Sequence, residues 1–369
     1  MSYSTRLQIY RAIEEKRGRP LIAYVTSLRT NASAQMAQDV IAQIANVINS
    51  IDKRYREIDF LIVSNGGDPI VSWRIISMLR ARFAKIGVLL PYVAYSAATL
   101  LALGADEIIM HKFSNLGPVD PQLNYKKRNQ DGSSMEVLYG SEDIKYFMDF
   151  VGKDVGISDQ AQKEKAFELL CQEVGAIPIG VAKRSSQLSV SMGEKLLKTH
   201  MNDDGKAKAI ASTLNSSFYH HGYALNRSEA EKIGLPVITP DEDLADMLWS
   251  IWKDCETEME CNKPFNPIEI IASSPQANII FGPYPTVSIP QGIPPQVSQQ
   301  IFNNLAQQIQ PIYMDPIDYE ILFAILENTK SRSEMRVKGK LSAIRLPDMN
   351  LAINDMRFPK GWTFFADNV

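Results

Sequence analysis

At 369 residues, with 45% apolar and 22% charged side chains, the chain has the composition of a soluble globular protein with room for one large core or two smaller ones. A net charge of −3 gives no reason to expect nucleic acid or an anionic membrane surface as a partner. Cys171, Cys255 and Cys261 form neither a metal-spaced cluster nor an even disulfide framework, and residues 1–6 lack the apolar core of a signal peptide, so a cytoplasmic protein with no metal or other cofactor is expected.

Residues 5–16 read as a helix, 20–25 as a strand and 31–51 as an amphipathic helix with Ala, Met, Val and Ile at helical spacing. Residues 59–64 form a second apolar strand that runs into Asn65-Gly66-Gly67-Asp68, and Pro69 opens a helix to about Phe83. A third strand at 88–92 leads to a helix starting at Ser96 and stopping at Gly104, followed by a short strand at 107–110. Strands alternating with helices predict an α/β fold with a mainly parallel sheet and right-handed crossovers. Residues 86–105 carry no charge and are about long enough to cross a bilayer. Gly87, Pro91, Tyr95, Ser96 and Thr99 within them fit a buried strand passing into a buried helix, so no membrane span is expected.

From 123 to 139 the chain turns polar and reads as a mobile loop or hairpin, with Lys126, Lys127 and Arg128 as a solvated charge run. Helices follow at 141–150, 158–171, 183–198, 206–215 and 227–233, the last stopped by Gly234. Composition shifts after Cys261. Residues 264–295 read as an extended proline-rich arm, and 296–310 and 315–330 as helices. This divides the chain into a main domain over 1–240 and a C-terminal extension over 241–369 serving assembly or partner binding. The arm carries Ile270, Ile271, Ile279, Ile280 and Phe281, apolar residues that need burial, which predicts a homo-oligomer built from trimers or larger rings.

The chemistry concentrates in two stretches, Ser64-Asn65-Gly66-Gly67-Asp68 and Ala94-Tyr95-Ser96-Ala97-Ala98-Thr99-Leu100. A strand ending in Gly-Gly and turning into a helix leaves backbone N–H groups free at the turn. A serine at the start of the next helix sits where free amides and the helix dipole favour developing negative charge, the pairing that acyl transfer requires. On pattern alone, Ser96 reads equally as a helix N-cap with no chemistry.

At these residues the chain resembles the Clp/crotonase superfamily, and most closely the serine dehydrogenase proteinase family, relatives of ClpP and signal peptide peptidase A. The matching pieces are Ser64-Asn65-Gly66-Gly67, Tyr95-Ser96-Ala97-Ala98-Thr99-Leu100, Leu103-Gly104-Ala105-Asp106-Glu107-Ile108, Leu116-Gly117-Pro118-Val119-Asp120-Pro121-Gln122, and His221-Gly222-Tyr223 with the block from Glu229 to Val237, together about residues 18–240. The resemblance implies a Clp/crotonase-like fold and a serine peptidase acting on peptide or protein substrates. It places Ser96 as nucleophile and the Gly67 and Ala97 amides as the oxyanion hole. ClpP's histidine matches the place of Asp120, and its aspartate that of His221, so the two types are exchanged and His221 with Asp120 is the expected base pair. The signal peptide peptidase branch uses a lysine instead, for which Lys145 or Lys153 stands as the alternative base. His111, His200 and His220 read as surface residues. The family's glycine-rich stretch after the serine is Ala97-Ala98-Thr99 here, whose side chains are expected to narrow the pocket. A catalytically inactive peptide-binding or assembly protein and a crotonase-type acyl-CoA enzyme are the alternative functions.

Overall fold

The computed structural model describes residues 3–128, 131–216, 218, 220, 222–283, 292–308, 310–348 and 350–366. Five strands, Leu21–Thr26, Glu57–Val63, Lys85–Leu90, Glu107–Met110 and Val237–Ile238, lie parallel and adjacent in that order. The helices Val40–Ser50, Pro69–Arg82 and Ala97–Leu103 make the crossovers between the first four. Both faces of this sheet are covered, so its strands are mostly apolar, with buried Asp59 and Glu107 paired to Arg17 and Arg19. Ile22, Tyr24, Phe60, Ile62 and Val88 enter one core, packed against those crossover helices and the helices Ala176–Leu197 and Asp204–Ser216. Leu21, Ala23, Val25, Leu61 and Leu89 enter a second core, closed by the helices Tyr3–Arg17 and Glu242–Glu258. The fold is the expected α/β type with a mainly parallel sheet.

The uncharged 86–105 stretch divides into a strand and the seven-residue helix Ala97–Leu103, and among the described residues no helix is long and apolar enough to cross a membrane. The helix expected over 31–51 begins only at Val40. Residues 31–39 are irregular because Met36 is drawn to the Gly-Gly turn. Its N–H donates to Gly66 O at 2.7 Å and its carbonyl accepts from Asp68 N at 3.0 Å. Residues 123–139 form a hairpin of the strands Gln122–Arg128 and Ser134–Gly140.

The larger departure is C-terminal. The helix expected over 315–330 is the strand Ile317–Glu327, antiparallel to the first strand of the sheet and followed by the antiparallel strands Ser331–Arg345 and Leu351–Ala366. Spacings such as Ile321, Leu322, Ile325 and Leu326 satisfy a helical pattern, but the segment is a strand buried on both faces: Ala324 and Leu326 enter one core and Ile325 the other, and a bulge between Leu322 and Ala324 puts Leu322 on the same side as Ile325. The proline-rich segment holds two short helices, Pro267–Ala272 and Ala277–Phe281, rather than a wholly extended arm. Ile271 and Ile280 are buried within the chain beside Met314 and Ala343, Ile270 is half-buried, and Ile279 and Phe281 stay exposed. Residues 284–291 lie outside the described residues. Buried Arg6 ties the N-terminal helix to this C-terminal region, bonding Glu327 at 2.7 and 2.9 Å and Asp254 at 2.7 Å, which compensates charges taken out of water.

Candidate active site

The end of the Glu57–Val63 strand and the turn before the Ala97–Leu103 helix are laced together by Ser64. Its backbone N–H donates to Val93 O and its carbonyl accepts from Tyr95 N, each at 3.0 Å. Its hydroxyl accepts from Thr26 Oγ1 at 2.8 Å and from Gly66 N at 3.0 Å. This buried serine fixes where the Gly-Gly turn lies relative to Ser96.

Ser96 occupies φ 52° and ψ −115°, a conformation in which only glycine is unstrained. Such a residue costs about 1–3 kcal/mol and persists only where its surroundings over-determine it. Two contacts do so here. Gly66 backs directly onto the turn, and a Cβ there would lie 2.5 Å from Tyr95 O and 2.9 Å from Ser96 Cβ. Buried Thr99 donates to Ala94 O at 2.7 Å and Gly117 O at 2.9 Å and accepts from Gly117 N at 3.1 Å, pinning the strand before the serine to the Gly117 turn. Although Ser96 stands at a helix N-terminus, its side chain makes no capping bond, and among the described residues its hydroxyl has no hydrogen-bond partner. The N-cap reading therefore does not account for it.

Two amides near this turn are left without acceptors among the described residues. Met36 bonds the groups on either side of Gly67, so the Gly67 N–H is turned away from Met36. Ala97 is the first residue of its helix, where the N–H has no intrahelical acceptor. Among the described residues neither N–H has an acceptor. Gly67 has φ 148°, and a Cβ there would meet Met36 O at 2.3 Å, so this close approach requires glycine.

Gly67, Ser96 and Leu100 line a cleft of 450 Å³ together with Asn65, Asp68, Val119 and Gln122. The wall facing them comes from the Ala176–Leu197 helix, through Ser185, Leu188 and Ser189. Ala97, Ala98 and Thr99 do not narrow this cleft. All three are buried, and Ala97 and Ala98 pack into the core.

The remaining candidates are less concentrated. Asp120 lines an adjoining cavity with His220, and its carboxylate accepts from Gln122 Nε2 at 3.0 Å. His221 lies outside the described residues. Lys145 and Lys153 do not line the cleft. Both are exposed and paired along their own helical segments, with Glu142 at 3.3 Å and Asp149 at 2.9 Å. His111 and His200 are not surface residues as expected. His111 is buried, stacked on Trp249 with ring centroids 5.1 Å apart, and His200 is half-buried with Nε2 2.9 Å from Leu103 O. Burial pushes the pKa of both rings down. Sequence reading missed Thr99 and Ser64 as fixing groups, and the helix face of Ser185, Leu188 and Ser189, whose only signal is an i, i+3, i+4 spacing.

The chain has relatives among known proteins. It is 29% identical over 241 residues to the uncharacterised protein MJ1495 of Methanocaldococcus jannaschii, covering 63% of this chain and 72% of that protein. It is 30% identical over 189 residues to MJ0137 of the same organism, covering 51% of this chain and 56% of that protein. Solved structures similar to it include two mutants of the 1510-N membrane-bound stomatin-specific protease. The first, at 15% identity, covers 58% of this chain and 79% of that chain with a TM-score of 0.35. The second, in complex with a substrate peptide, shows 17% identity over 57% of this chain and 73% of that chain, with a TM-score of 0.34. Residues 2–256, the stretch that holds the parallel strands, the Gly-Gly turn and the strained serine, match the ClpP-like SDH-type serine proteinases, and the chain belongs to that family.

Proposed function

We propose that the protein is a serine endopeptidase. The observation that carries this reading is Ser96, held in a strained conformation in the lining of a cleft that Gly67 also lines, with its hydroxyl uncommitted and the Gly67 and Ala97 N–H groups without acceptors among the described residues. In the proposed reaction Ser96 Oγ attacks the carbonyl carbon of a peptide bond and its proton passes to a base. The oxyanion accepts from the Gly67 and Ala97 N–H groups. Collapse of the tetrahedral intermediate expels the amine, which takes the proton from the base, and water then hydrolyses the acyl-enzyme by the reverse use of the same groups.

His221 is the proposed base, with Asp120 as its orienting carboxylate. Its chain neighbour His220 lines a cavity with Asp120, next to the cleft, whereas Lys145 and Lys153 are spent on exposed ion pairs. The crotonase alternative is not favoured, because among the described residues no Lys or Arg lines the cleft to meet the phosphates of a coenzyme A. A fluorophosphonate probe tests the nucleophile. Labelling of the wild type that disappears in Ser96→Ala supports the peptidase, and an unlabelled wild type favours a peptide-binding relative. Loss of hydrolysis in His221→Ala with Lys145→Ala and Lys153→Ala active supports the histidine base. The opposite pattern assigns it to a lysine.

A further inference from the structure

Among the described residues that line the Ser96 cleft, three are buried and form its floor: Leu100 at 1%, Val119 at 2% and Ser189 at 4% exposure. Leu100 stands one helical turn after Ser96, in the Ala97–Leu103 helix. Gly193 lets the Ala176–Leu197 helix approach it, since a Cβ there would already lie 3.6 Å from Leu100 Cδ2 and 3.5 Å from Leu103 Cδ1. Ser189, one turn before Gly193, thereby enters the floor beside two apolar side chains.

This serine is out of keeping with its surroundings. A helical serine ordinarily donates back to the carbonyl four residues earlier, as Ser216 does to Ser212 O at 3.0 Å and Ser250 to Asp246 O at 2.8 Å. Ser186, on another face of the same helix, donates to Asn215 Oδ1 at 2.9 Å. The Ser189 hydroxyl does neither, and among the described residues it has no hydrogen-bond partner. A buried hydroxyl in an apolar setting is unfavourable unless something bonds it. Here the open side is the cleft, so the partner that completes it is a group of the bound substrate.

We infer that Ser189 is a specificity-determining residue, and that the floor takes a small, uncharged, hydroxyl-bearing side chain, as of threonine, on the residue whose carbonyl Ser96 attacks. The methyl of such a side chain packs on Leu100 and Val119 while its hydroxyl bonds Ser189. None of these three floor residues is charged, so an ammonium or carboxylate placed among them would be left unpaired. Valine fits the same space but leaves the Ser189 hydroxyl unbonded, and a site built to bond a hydroxyl discriminates against the analogue that lacks it. The inference rests on the peptidase reading, which makes this cleft the place where the peptide bond is cut.

The test compares two fluorogenic peptide amides that differ only in threonine against valine as the residue donating the cleaved carbonyl. With full-length protein, kcat/KM should be about tenfold higher for the threonine substrate. Ser189→Ala should bring the ratio to about one, with a urea midpoint no lower than that of the wild type, because the lost hydroxyl held nothing within the fold. Ser186→Ala, which loses its bond to Asn215, should lower the midpoint and keep the ratio. A wild-type ratio near one, a preference that survives Ser189→Ala, or a midpoint that falls in Ser189→Ala as in Ser186→Ala overturns the inference. Failure of the peptidase reading looks different: the wild type takes no fluorophosphonate and cuts neither amide. Binding of the uncut peptides, read by fluorescence anisotropy, then decides. A threonine preference of about tenfold that is lost in Ser189→Ala supports the inference, and equal binding overturns it.

Discussion

Thr99 offers the sharpest test of how the strained serine is held. Thr99→Val keeps the shape of a fully buried side chain and removes only the hydroxyl. Ala94 O retains a partner, since Gly117 N also donates to it at 3.1 Å, and for the same reason Gly117 N remains bonded. Gly117 O loses the donor it has at 2.9 Å, and no other donor to it exists among the described residues. A buried carbonyl left without a donor costs about 1–3 kcal/mol, so the variant should be less stable by about 2 kcal/mol. The turn that fixes Ser96 loosens with it, and the rate of fluorophosphonate labelling should fall at least about tenfold even where the variant is fully folded. Thr99→Ser keeps the hydroxyl and deletes a buried methyl. It should lose about 1 kcal/mol yet label at close to the wild-type rate. Urea midpoints and labelling rates measured on the three proteins separate the two effects. If Thr99→Val labels as fast as wild type, or if Thr99→Ser loses labelling as severely as Thr99→Val, the hydroxyl does not hold the elbow and the argument fails.

Ser96→Gly relieves the positive φ while Ser96→Ala retains it, so both should abolish labelling, but the glycine variant should be about 1 kcal/mol more stable after allowance for glycine's extra chain entropy; equal urea midpoints would show that the conformation is not strained. Burial raises the Asp59 pKa from an ordinary 3.8 to about 6, against the opposing pull of Arg17. The folded state thus binds this proton more tightly than the unfolded one, and the stability it brings is fully present below the unfolded value and lost as pH rises through about 6. The difference in unfolding free energy between wild type and Asp59→Asn should therefore widen in favour of the wild type by about 2 kcal/mol between about pH 7 and about pH 4.5, and a constant difference would remove the assignment. The helices Ser141–Asp149 and Gln160–Val174 bury no side chain, and Phe150, Phe167, Leu169 and Ile177 lie exposed along this region. We propose that the protein is a homo-oligomer that covers them; a monomeric mass by light scattering at micromolar concentration would refute this.

The sequence determined the parallel core and the position of the serine, because both are written in local patterns. Apolar runs closed by Gly-Gly or by a polar turn specify strands buried on both faces, and Gly66 and Gly67 mark backbone that only glycine can adopt. After residue 261 the helix expected over 296–310 is found at Pro295–Gln308, but the antiparallel strands that follow were not legible. The run from Ile317 to Glu327 satisfies helical and strand spacing alike, and only the first strand on one side and Ser331–Arg345 on the other decide for the strand. Tertiary structure likewise decided which groups converge on Ser96. Thr99 and Ser64 act through bonds to residues distant in the chain. Ser185, Leu188 and Ser189 face the cleft only because their helix packs across it. No local pattern records such a meeting, since helices and strands follow from near neighbours whereas a site is assembled from residues that the fold alone brings together.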